Sequence, residues 1–236
     1  MGFLFKAENM VKPSKKSLQL RKERLENRLV SYGLDNTISD IALLDESQYT
    51  FVHPAQAAER LLILLGVAYA AYNFGESEKV MNWLKNENIW QAVSEKEKDF
   101  FRNPDPEEQE KQSLSWRFES AYILAWCIKK VSSPADPGTE CKEDQVNEFL
   151  KHVPPVGSSA EGFFTTLKYI PLSDIHDEFL FYKIATAYFE NIRLKDKENT
   201  SQVNIKSCFE RYAALSWLES SGTGSDWDAI TTQTEK

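Results

Sequence analysis

The chain has 236 residues, 42% hydrophobic and 27% charged, with a formal net charge of −8 and a pI near 5.1. This is ordinary globular usage, long enough for one large domain or two small ones, and the acidic balance argues against nucleic-acid binding, which usually needs a basic face. Nine Gly and nine Pro are too few for a turn-rich all-β fold, and the longest apolar run, residues 61–72, is too short to span a bilayer.

Residues 1–13 read as a flexible N-terminus. Residues 15–32 then read as an amphipathic helix with Leu18, Leu25, Leu29 and Tyr32 on one stripe and Gly33 as its stop. Residues 1–28 hold eight Lys/Arg against three Glu, so this segment carries +5 and the remainder −13. The basic residues are expected on a solvated helix face. Residues 35–49 lack a clean period and read as loop with a short turn. Pro54 opens a helix that runs through Tyr72, its alanines allowing close packing, and a shorter helix follows over 77–86.

Ser94 and Glu97 form a capping box that starts a helix over 95–101. Asn103-Pro104-Asp105-Pro106 breaks it, and one long helix over 107–131 is expected next. Residues 142–153 carry Val146, Phe149, Leu150 and Val153 at helical spacing. After the break at 154–159 comes a helix or turn over 160–169. Ser173 is expected to cap a helix over 174–194, and 203–220 forms the last long helix. Gly222 and Gly224 then release the chain into Asp226-Trp227-Asp228 and a polar tail. No segment alternates at period two. The fold class is therefore all-α: a single globular multi-helix domain of about eight or nine helices over 14–236, with a docked C-terminal tail.

Four patches, in order, resemble the family catalogued as domain of unknown function 4272, uncharacterised bacterial proteins. They are residues 54–65; Trp116-Arg117-Phe118-Glu119 running into 121–126; Asp177-Glu178 with Tyr182-Lys183; and Glu210-Arg211 with Leu215-Ser216-Trp217-Leu218, followed by Asp226-Trp227-Asp228 and Thr234. The resemblance spans most of the chain from about Ser14. Lys183 stands where the family has Arg, Ser216 where it has Asn, and Gln233 where Asp is usual. Lys183 thereby lacks the bidentate fork that a guanidinium provides. The resemblance implies a fold and a set of charged positions, and no reaction.

Arg117 and Glu119 lie two apart on one helix and point to different sides, as do the adjacent Glu210 and Arg211. Arg117 is expected to pair with an acid of another helix, Glu210 or Asp177. Two readings follow. Either these charges form a buried network fixing helix register, or Arg117, Glu119, Asp177, Tyr182, Lys183, Glu210 and Arg211 build a polar ligand pocket. No catalytic residue, metal site or cofactor is indicated. His53, His152 and His176 lack metal-ligand spacing, and His176-Asp177-Glu178 reads as an acidic cluster suited to a helix start. Cys127, Cys141 and Cys208 read as reduced, inert thiols of a cytoplasmic protein. Trp116 and Trp217 mark structural motifs. Asp226-Trp227-Asp228 reads as a clamp in which Trp227 buries and an acid caps a helix or meets a cation. The function expected is that of a binding or interaction protein with a protein partner, neither nucleic acid nor membrane, its oligomeric state open; an enzyme or small-ligand binder built on the polar pocket is the alternative.

Overall fold

A computed structural model of the chain describes residues 12–34, 38–219 and 226–234. Most of the expected flexible N-terminus and both glycines of the expected linker lie outside the described residues. Within them the protein is all-helical, a single domain with no strand.

Helix α1 (Lys15–Ser31) is capped by the Ser14 hydroxyl, which accepts from the Ser17 N–H at 3.1 Å. It stops at Gly33, whose φ of +75° suits a residue without Cβ. Helix α2 (Pro54–Tyr72) begins at Pro54 as expected, with His53 and Gln56 forming a reciprocal cap. Fourteen of its nineteen residues are buried, which makes it the central helix. Gly66 lets α3 (Ser77–Asn86) approach it: a Cβ there would sit 3.0 Å from a Val80 methyl. Helix α4 (Glu95–Arg102) starts with the expected Ser94–Glu97 box.

The long helix expected over 107–131 is two helices. α5 (Glu108–Ser115) buries no residue, whereas α6 (Arg117–Cys127) buries ten of eleven. Trp116 sits at the joint with ψ −12°. It turns the chain from a polar surface segment into one buried on all sides, so a single straight helix does not fit both environments. Helix α7 (Glu143–His152) follows, and the 160–169 stretch holds only a short 3₁₀ turn at Glu161–Phe164.

Helix α8 (Leu172–Leu194) begins two residues earlier than expected. Pro171 takes the cap position, and Ser173 supplies no cap; its hydroxyl faces Asp174 at 3.4 Å. Helix α9 (Ile205–Glu219) is capped by Asn204, whose side chain accepts from the Ser207 N–H at 3.0 Å. The expected polar tail is a helix, α10 (Trp227–Thr234). The main packing runs from α2 to α6, from α6 to α9 and from α9 to α8, with α1 on α8 and α10 on α9.

Candidate functional site

Charged side chains enter this bundle at several places, and they serve different ends. The first place is the α6/α9 seam. Arg211 on α9 is fully buried. Its Nε and Nη2 donate to Glu119 Oε2 at 3.0 and 2.6 Å, and Nη2 also donates to the Thr139 carbonyl at 2.9 Å. Nη1 donates to the Asp136 carbonyl at 2.8 Å and to the Tyr182 hydroxyl at 3.0 Å. All five guanidinium hydrogens thus have acceptors. Burial opposes the charge, but the Tyr182 and Glu119 oxygens outweigh it and raise the Arg211 pKa. The other Glu119 oxygen accepts from the Cys141 N–H at 2.7 Å. The Arg211 guanidinium is closed to solvent and has no donor left for a ligand.

The second place lies on the same two helices. Arg117 Nη1 donates to Glu210 Oε1 at 2.5 Å, while the Ser120 hydroxyl donates to Glu210 Oε2 at 2.6 Å. Of the two acids expected for Arg117, Glu210 is the partner. Asp177 instead accepts from Arg21 on α1, Nη2 to Oδ1 at 2.7 Å, and Arg21 also holds Glu46. Glu178 holds Arg28. Arg21 is buried, which corrects the expectation that the basic residues of α1 lie on a solvated face: Arg21 and Arg28 staple α1 to α8.

His176 corrects another expectation. It is fully buried, and its neighbours Asp177 and Glu178 pair with Arg21 and Arg28 instead of serving the start of α8. The His176 Nδ1 meets the Glu219 carboxylate at 3.0 Å and its Nε2 meets the Leu43 carbonyl at 2.6 Å. Both ring nitrogens face oxygens, an arrangement in which the protonated ring satisfies the Glu219 carboxylate and the Leu43 carbonyl together. Burial alone would lower its pKa; the bonds to Glu219 and Leu43 outweigh that and raise it.

The third place is around α10. Trp227 is buried, 4% exposed. Its ring packs edge-on to Trp217 at 6.4 Å between centroids, with the Arg60 guanidinium 4.8 Å and the Arg117 guanidinium 5.8 Å from its centre. Arg60 is paired with Glu97, both buried. Asp228 Oδ2 accepts from the Lys96 N–H at 3.0 Å and so caps the start of α4. A cleft of about 330 Å³, with Glu107, Glu110, Arg117 and Asp228 among its walls, opens beside Trp227. A second of about 240 Å³, with Gln56, Glu59, Arg60 and Trp217 among its walls, also has Trp227 in its lining.

The seven residues expected to build one polar pocket are therefore divided. Glu119, Tyr182 and Arg211 are sealed in the seam. Arg117, held by Glu210, reaches a cleft beside Trp227. Asp177 braces α1, and Lys183 lines a separate 200 Å³ cleft with its ammonium 5.6 Å from the Phe179 ring. Trp116 lies under the Lys206 ammonium at 5.2 Å. The sequence marks Glu97 only as a helix cap and does not single out Arg60 or Glu59. A signal was present: Arg60 sits inside the most apolar helix, and an arginine there requires an acid from elsewhere.

The thiols are not activated. Burial pushes Cys208 up to about 12, and raises Cys127 and Cys141 as well. Among the described residues no group of three His, Cys, Asp or Glu is placed to hold a metal ion, and no helix is long and apolar enough to cross a membrane. A family model described as Domain of unknown function (DUF4272) matches residues 21–230, and the chain belongs to that family. No curated protein and no solved structure matches it.

Proposed function

We propose that this chain is a non-enzymatic binding protein of the bacterial cytosol, and that it engages its partner at the clefts beside Trp227 rather than at the Glu119–Arg211 node. The observation that carries the reading is the contrast in reachability. Arg211 is fully buried with every donor used, whereas clefts of about 330 and 240 Å³ border Trp227. Recognition needs polar groups that a partner reaches, set beside apolar surface. The walls around Trp227 combine an indole pair with carboxylates and guanidiniums. Free cysteines and the acidic balance support a reducing, aqueous compartment.

The test is a screen of small fragments against the ¹⁵N-labelled protein, following the six tryptophan indole N–H signals. Shifts at Trp217 and Trp227, with Trp126 in the α6 core unmoved, are expected. Shifts centred on Cys141 and Tyr182, or turnover of a fragment, would instead favour an enzyme or small-ligand binder built on the inter-helix polar network.

A further inference from the structure

The smaller cleft beside Trp227 is electrostatically lopsided. Its cation, Arg60, is already neutralised by Glu97, and both side chains are buried. The Gln56 carbonyl is engaged by the His53 N–H at 3.1 Å. Glu59, one helix position before Arg60, is half-buried and has neither hydrogen bond nor ion pair among the described residues. Burial raises its carboxyl above the ordinary range, against the lowering pull of Arg60. Asp226 adds a second, exposed carboxylate whose Oδ1 accepts from the Asp228 N–H at 3.0 Å. The half-buried Trp217 indole lines the same cleft.

We infer that this cleft binds an organic cation, a guanidinium or protonated alkylamine, with Glu59 as its counter-ion and the Trp217 indole as its stacking surface. The inference rests on the binding reading above and names the chemistry of what one cleft takes. A half-desolvated carboxylate without a partner is unfavourable in the empty protein, and a cation placed beside it relieves that penalty. Indole is the best aromatic face for a cation, and the protein already uses this chemistry next door, where Arg60 lies over Trp227. The −13 carried outside residues 1–28 draws cations toward the surface. The same cation could come from a free amine or from an arginine side chain of a partner.

The experiment titrates the full chain with agmatine, with the capped tripeptide Gly-Arg-Gly, and with N-butylurea as the neutral analogue, reading the Trp217 indole shift and the heat of binding. Saturable binding of a cation, with none of the urea, is expected. The tighter of the two cations identifies the source, free amine or side chain. Glu59→Gln should weaken that cation about tenfold, the effect of losing a charge-assisted contact; Glu59→Lys should abolish binding. Should either variant melt early, the cation-against-urea comparison on the unmodified protein still decides. Equal binding of the urea, or a cation affinity unchanged in Glu59→Gln, overturns the inference. Shifts at Trp217 from neutral or anionic fragments alone overturn it while leaving the binding reading in place; no shift at either cleft from any fragment removes both.

Discussion

The α6/α9 seam and the Trp227 region both bring arginine into a helical interior, and they do so in opposite ways. Arg211 reaches Glu119, two carbonyls and the Tyr182 hydroxyl, and no solvent touches it. Arg60 meets Glu97 and lies over an indole, with a cleft beside it; its buried Nε has no hydrogen-bond partner among the described residues. A buried ion pair is stable only when its remaining hydrogen-bonding capacity is also met. The seam satisfies that condition and behaves as a lock on helix register. The Trp227 region satisfies it incompletely and keeps open volume, which is what a partner needs.

The largest expected effect comes from breaking the lock. Glu119→Ala leaves the Arg211 charge buried and unpaired, a loss of about 3–5 kcal/mol, or roughly 10 °C in melting temperature for a domain of this size. The double variant Glu119→Leu/Arg211→Met removes both charges and should recover most of that stability, because apolar side chains of similar volume replace a buried pair well. Denaturant melts of the two proteins decide. If the double variant is as unstable as the single one, the seam depends on specific hydrogen bonds to the 135–141 loop rather than on charge balance.

A smaller loss is expected at the other region. Trp227→Ala removes a buried indole whose area stabilises by about 2–3 kcal/mol, and truncation after Ser221 should cost more, since it also removes Ile230 and the Asp228 cap on α4. Chemical denaturation measures both. A change below about 0.5 kcal/mol, the scale of surface substitutions, would mean that α10 lies on the body without contributing to it, and the contrast between the two regions would collapse.

Local chemistry made the fold legible where it acts within a few residues. Pro54, the Ser94–Glu97 box and Gly33 set their boundaries by the backbone groups they satisfy or release, so a reading of neighbours is enough. The joint at Trp116 was not legible. Both flanking segments favour helix, and only the change from surface to interior divides them. The charged residues were legible as candidates but not as partners. Arg117 with Glu210 followed from the need of a buried guanidinium for an acid, whereas Arg21 looked solvated because the acids that bury it stand on α8 and in the 46–48 turn. His176 was misread for the same reason: its partners Glu219 and Leu43 lie 43 and 133 residues away.

The mildest test of the comparison needs no mutation at first. His176 and Glu219 form another closed contact, and the His176 ring, unlike a guanidinium, exchanges a proton. Its folded-state pKa is raised above the ordinary 6.5 because the Glu219 bond and the Leu43 carbonyl outweigh burial and the nearby Arg21 charge. A raised value means that the stabilising contribution is complete below about 6.5 and is lost as pH rises through the folded value. Losing the proton leaves a ring nitrogen facing an acceptor with nothing to donate, either to the Leu43 carbonyl or to the Glu219 carboxylate. Stability should therefore fall gradually as pH rises above neutrality, and His176→Gln should flatten that slope, the exposed His53 and His152 being unchanged. The Glu119–Arg211 lock, built on a guanidinium that does not titrate in this range, should contribute no such slope. Denaturant melts at a series of pH values, on both proteins, provide the check. An identical slope in His176→Gln would assign the pH dependence to other groups and leave His176 as a packing residue alone.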